Sequence, residues 1–103
     1  LAVSTARRSS AAPNIPTVAE SGIQGFDFPT WFSLLAPAGT APEVVLKLNA
    51  EVVRIVNARD MKSKLAELGA EATNMSPSEF AAFVKSEISK YAKIVKESGV
   101  RVD

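Results

Sequence analysis

"TWFSLLAP", residues 30–37, decides what kind of fold this chain takes. Every position but two is apolar, and aromatic and branched residues dominate. A short apolar run of this kind is the pattern of a strand buried on both faces, and Pro37 stops it. If the run is a strand, the chain is α/β.

A second strand candidate lies at "LAVST", residues 1–5, short and β-branched, with Arg7 just beyond it. Between the two lies "RRSSAAPNIPTVAESGIQGFDFPTW", residues 7–31, holding Pro13, Pro16 and Pro29. Each proline pushes the residue before it toward extended geometry. Within this stretch "TVAESG" can form one capped turn, with Thr17 as the cap, Glu20 three residues on and Gly22 past the end. Two readings of the stretch stand: a loop that wraps a neighbouring surface, and a plain connector.

Downstream of residue 39 the pattern turns helical. Thr40 with Glu43 reads as a capping box, with Pro42 in the first turn. The helix that follows carries Val44, Leu48, Val52, Ile55 and Val56 on one face and Leu46 and Val53 on the other. "DMKSKLAELG", residues 60–69, is a shorter helix, and "AEATN", residues 70–74, a brief strand. Ser76, Pro77 and Glu79 then repeat the start signal for a helix over 77–98 that stops at Gly99. Its apolar arc is Phe80, Val84, Ile88, Tyr91 and Val95, and Lys85, Lys90, Lys93 and Lys96 read as a solvated face.

The composition narrows the chemistry. The 103 residues carry a net charge of +1, 47% hydrophobic residues, and neither cysteine nor histidine. This is the composition of one small globular domain. A near-neutral balance weakens any nucleic-acid reading. Without histidine there is no Ser-His or Cys-His dyad, so an enzyme is not expected; without cysteine there is no disulfide or thiolate metal site. No apolar run reaches the roughly 18 residues of a membrane span.

Among motifs, "GIQG" at 22–25 matches a nucleotide-clamping loop only weakly; it has no lysine or arginine close by, and a turn is preferred. Glu20 and Asp27 read as surface charges rather than paired catalytic carboxylates. Ser4 and Thr5 end the first strand, where hydroxyls either meet a ligand or make an ordinary strand-end hydrogen bond. Trp31, the single tryptophan, reads as core or as the wall of a cleft.

Four stretches in order, "LAVSTARRS", "PNIPTVAESGIQGF", "WFSLLAPAGTAPEVVLKLNAEV" and "LAELGAEATNMSPSEFAAFVKSEISKYAKIVKESGV", resemble one family. The pairing of Pro13, Pro16, Thr17, Glu20 and Gly22 with Ala36, Pro37, Gly39, Thr40 and Pro42 is the specific part. They look like the carboxy-terminal third of the Bug, or TctC-like, solute-binding receptors of tripartite tricarboxylate transporters. That resemblance implies an α/β fold: the carboxy-terminal part of a type II periplasmic binding-protein fold, with helices packed on a small or partial sheet. Residues 1–103 would be a single partial domain. In it, 1–39 would hold the crossover strand, the proline-rich wrap and the second strand, and 40–103 the helical cover.

The resemblance further implies a periplasmic receptor for small carboxylates (di- or tricarboxylates, or acidic amino acids) that serves membrane permease subunits and needs no cofactor. The remainder of such a receptor, led by a signal peptide, is expected upstream. On this reading Ser4 and Thr5 are ligand contacts and Trp31 is a cleft wall. The alternative is a truncated, non-binding module that forms a homodimer through its exposed strand edges and the Phe80–Val95 face.

Overall fold

Ser76 followed by Pro77, with Glu79 three residues after the serine, starts the longest helix. In a computed structural model, which describes residues 1–100, the order is α1 (Pro42–Val56), α2 (Arg59–Glu67) and α3 (Pro77–Ser98). At α3 the Ser76 hydroxyl accepts the Glu79 N–H at 3.3 Å, and the Glu79 carboxylate accepts the Ser76 N–H at 2.8 Å. The helix runs 22 residues and ends on Gly99, whose φ of +68° is the left-handed turn that glycine adopts without steric cost. These are the expected bounds.

α1 starts differently from its expectation. Its cap is Ala41, which offers no side-chain hydrogen bond, and the Thr40 hydroxyl turns back to donate to the Pro37 carbonyl at 2.8 Å. The Thr40–Glu43 capping box does not form. α2 ends earlier than expected, and the Ala70 N–H closes it by donating to the Leu65 carbonyl at 2.8 Å.

Among the described residues there is no strand. The one bridge is a parallel pair, Val3 with Thr17, made by Val3 N–H to Pro16 C=O at 2.9 Å and Val18 N–H to Val3 C=O at 3.0 Å. The strands expected at 1–5, 30–37 and 70–74 are therefore corrected. Residues 30–36 make no backbone hydrogen bond with other described residues, and Phe32, Leu34 and Leu35 are exposed, Phe32 at 93%. Burial on both faces does not occur there, because among the described residues no partner backbone completes a ladder with it. Residues 70–74 are anchored by side chains instead. The Glu71 carboxylate accepts from the Ser10 N–H and hydroxyl at 2.9 and 2.6 Å, and Asn57 donates to the Asn74 side chain at 2.6 Å.

The helix faces also shift. α1 packs against α2 and α3; its half-covered residues include Val45, Asn49, Val52, Val53 and Val56, while Val44, Leu48 and Ile55 from the expected apolar stripe stay exposed. In α3 the covered side chains include Phe80, Phe83, Val84, Glu87, Lys90 and Ile94; of the expected arc, Ile88, Tyr91 and Val95 are exposed, Ile88 at 65%. No hydrophobic side chain is fully buried among the described residues. The chain's surface is 8531 Å², against about 5,600 Å² for a compact monomer of its mass. Its radius of gyration is 16.5 Å, against about 13 Å for a compact chain of this length. None of the described helices is long and apolar enough to cross a membrane.

Candidate functional site

The amino-terminal arm is organised by one buried side chain. Thr17 is 2% exposed; its hydroxyl accepts the Glu20 N–H at 3.0 Å, and the Glu20 carboxylate accepts the Thr17 N–H at 2.7 Å. The expected box therefore forms here. The Arg8 guanidinium lies 3.0 Å from the same carboxylate and also donates to the Pro13 carbonyl at 3.1 Å. The hydrogen bond from Arg8, and then that from the Thr17 N–H, holds the Glu20 carboxyl below the usual carboxylate range. The same pairing raises Arg8. Glu20 is thus a strut of the arm as well as a surface charge.

Asp27 does similar work at the base of the bend formed by residues 4–7. Its carboxylate accepts the Ala6 N–H at 2.8 Å, and the neighbouring Phe28 N–H donates to the Ser4 carbonyl at 2.8 Å. The Thr5 hydroxyl donates within the bend to the Arg7 carbonyl at 2.7 Å. The Ser4 hydroxyl and the backbone N–H groups of Ser4 and Thr5 donate to no acceptor among the described residues.

Trp31 sits three residues past Phe28 and is 39% exposed. Its ring packs edge-on to Phe80 and Phe83, with centroids 5.9 and 5.4 Å away, and its Nε1–H donates to Glu87 at 3.4 Å. No hydrogen bond or ring contact among the described residues joins Trp31 to Ser4 or Thr5. The three expected contacts lie on two segments, both tied to Asp27–Trp31, rather than in one closed pocket.

Two α3 residues outside the expected set, Glu87 and Lys90, link those segments. Glu87 is 6% exposed. Lys90 forms an ion pair with it at 2.5 Å, donates to the Asp27 carbonyl at 2.9 Å, and lies 5.2 Å from the Phe28 ring centroid. Lys90, expected on the solvated face, is thus mostly covered. One signal in the sequence pointed to Glu87: it falls two turns after Phe80 and three residues after Val84, a charge inside the apolar arc.

Two open grooves lie elsewhere. One, of 360 Å³, is lined by Ser10, Asn57, Lys62, Leu65, Glu71 and Asn74. Hydrogen bonds from Ser10 hold its Glu71 carboxyl below the usual range. The other, of 420 Å³ and mostly apolar, lies between the start of α1 and the start of α3. Neither includes Ser4, Thr5 or Trp31. Among the described residues no group of three acidic side chains is placed to hold a metal ion.

Residues 1–100 match the model of the tripartite tricarboxylate transporter family receptor, TctC. The chain belongs to that family. Its relatives include Protein BugT of Bordetella pertussis, 30% identical over 102 residues, covering 99% of this chain and 31% of that protein. A second is the UPF0065 protein in the tcbD-tcbE intergenic region of Pseudomonas sp. strain P51, 36% identical over 98 residues, covering 94% and 29%. The chain spans about a third of the length of these curated relatives.

Among solved structures, R. palustris Rpa4515 with adipate matches with a TM-score of 0.81 at 37% identity, over 96% of this chain and 33% of that one. The periplasmic binding protein BugD matches with a TM-score of 0.80 at 31% identity, over 97% and 34%. Coverage this complete takes in the arm and the extended 30–37 segment as well as the helices. This receptor-family chain therefore follows the path of one third of a periplasmic binding protein. The expected fold class holds at that level, while the sheet it named is not formed among the described residues.

Proposed function

We propose that this chain is the carboxy-terminal portion of a periplasmic solute-binding receptor that captures small carboxylates for a tripartite tricarboxylate-type transporter. The observation that carries this reading is the likeness over 96% of the chain to a protein solved with adipate, a dicarboxylate. A carboxylate oxygen needs donors, and the bend at 4–7 presents the Ser4 hydroxyl and the N–H groups of Ser4 and Thr5 without acceptors. Hydrogen bonds to a charged group contribute about 1.5–3 kcal/mol each. The half-covered face of Trp31 suits the methylene chain of such a ligand. On this reading the receptor works in the periplasm by binding alone, without cofactor or catalysis, and hands its ligand to membrane permease subunits.

The test is a titration of adipate, citrate, succinate and glutamate into the protein, followed by Trp31 emission and by melting temperature. A saturable response to at least one of them, weakened by Ser4→Ala, is the expected result. No response to any carboxylate overturns the reading.

A second reading is favoured by one specific observation. The exposed Phe32, Leu34 and Leu35 lie on a segment whose backbone pairs with none of the other described residues. The excess surface noted above is more than the roughly 800 Å² per partner that a stable interface buries. That combination suits self-association by strand pairing through 30–37. Light scattering separates the two states: a mass twice 10.9 kDa supports a dimer, and a monomer at high concentration removes it.

A further inference from the structure

Glu87 is the one charged side chain buried among the described residues. A carboxylate taken out of water is costly, and replacing a buried ion pair with apolar packing is often neutral or stabilising. Burial of the pair is therefore weak evidence of a gain in stability, and its geometry points elsewhere. One carboxylate oxygen takes the Trp31 Nε1–H at 3.4 Å and the other takes Lys90 at 2.5 Å. Lys90 reaches on to the Asp27 carbonyl at 2.9 Å. Asp27 in turn holds Ala6 through its carboxylate, and Phe28 holds the Ser4 carbonyl. A single turn of α3 thus grips both segments that carry the candidate ligand contacts, one through Trp31 and the other through Asp27–Phe28.

We propose that Glu87 and Lys90 are positioning residues for ligand capture. They hold Trp31 and the 4–7 bend in a fixed relation, so that affinity depends on α3 side chains that do not touch the ligand. The inference rests on the receptor reading above for its ligand part. Its structural part stands on the contacts alone. Preorganisation of this kind lowers the cost of ordering a site when the ligand arrives.

The experiment compares the unaltered protein with Lys90→Met, Glu87→Leu and Glu87→Gln. Three measurements are made: amide hydrogen exchange at Ala6 and Phe28, Trp31 emission, and adipate titration. Lys90→Met is expected to speed exchange at both amides about tenfold, the size of coupling usual between residues in one network, with little change in Trp31 emission. Glu87→Leu is expected to red-shift Trp31, and Glu87→Gln, which keeps an acceptor for the indole, to restore its emission. Lys90→Met and Glu87→Leu are each expected to weaken adipate about three- to tenfold, with a cooperative melt retained in all variants.

Unchanged exchange in Lys90→Met overturns the grip on the bend. Unchanged adipate affinity in both of these variants, with the unaltered protein binding normally, overturns the positioning role. If Glu87→Leu fails to melt cooperatively, Lys90→Met and Glu87→Gln carry the test. An unaltered protein that binds no carboxylate removes the receptor reading and the ligand part of this proposal together, while exchange and emission still decide the grip.

Discussion

The starts of α1 and α3 carry almost the same residues and fold differently. Thr40-Ala41-Pro42-Glu43 and Ser76-Pro77-Ser78-Glu79 each hold a hydroxyl, a proline and a glutamate three residues after the hydroxyl. At α3 the box closes, and at α1 it does not. The difference is the place of the proline. Proline favours the first helical position, and it keeps the residue before it out of helical geometry. The residue preceding proline therefore becomes the cap: Ser76 in one case, Ala41 with ψ of 134° in the other. Thr40 falls one position outside, where its hydroxyl serves the Pro37 carbonyl. Proline position outranks the hydroxyl-to-glutamate spacing, and the box at Thr17–Glu20, which has no proline inside it, closes as its spacing dictates.

Substitutions can break this comparison, and the largest effect is expected at the buried box. Thr17→Ala should cost about 2 kcal/mol, the upper end for a lost cap, and amide exchange at Glu20 and Val3 should rise with it. Ser76→Ala comes next, at about 1 kcal/mol, read as a lower midpoint in denaturant. In Glu79→Gln the change is in pH dependence. Hydrogen bonds from Ser76 hold the Glu79 carboxyl below its ordinary range. Its contribution is therefore complete above the ordinary carboxylate range and is lost as pH falls through the lowered value. The substitution should remove that part of the acid-side slope in a melting series below pH 5.

The comparison is sharpened from the other side by adding what α1 lacks. Ala41→Ser places a hydroxyl at the true cap and should stabilise by about 0.5–1 kcal/mol, visible as a higher midpoint. Thr40→Ala should change the midpoint by less than about 0.5 kcal/mol, the usual range for a surface substitution away from a cap. Equal losses for Thr40→Ala and Ser76→Ala would remove the proline argument.

Apart from the Thr40–Glu43 box, sequence reasoning succeeded where partners lie close along the chain. The bounds of α3, its cap and the Gly99 stop, and the turn at Thr17–Glu20 all depend on residues within four positions of one another. It failed at 30–37 for the opposite reason. The pattern there is that of a strand, but a strand's backbone hydrogen bonds all go to another segment, and among the described residues none pairs with Phe32–Leu35. At the candidate site, Ser4, Thr5 and Trp31 were legible as residue types in suggestive places. Their supports were not. Asp27 and Lys90 looked like ordinary surface charges, because nothing local distinguishes a lysine in water from one donating to a carbonyl 63 residues away.

From its own residues this chain determines its helices, its turns and its membership of a receptor family, because propensity, capping and motif spacing are short-range properties. Only the tertiary structure decided which helix faces are covered, that Glu87 is buried, and that Lys90 ties α3 to the Asp27 turn. Those outcomes depend on which distant groups arrive within 3 or 4 Å, and a pattern along the chain does not contain that distance.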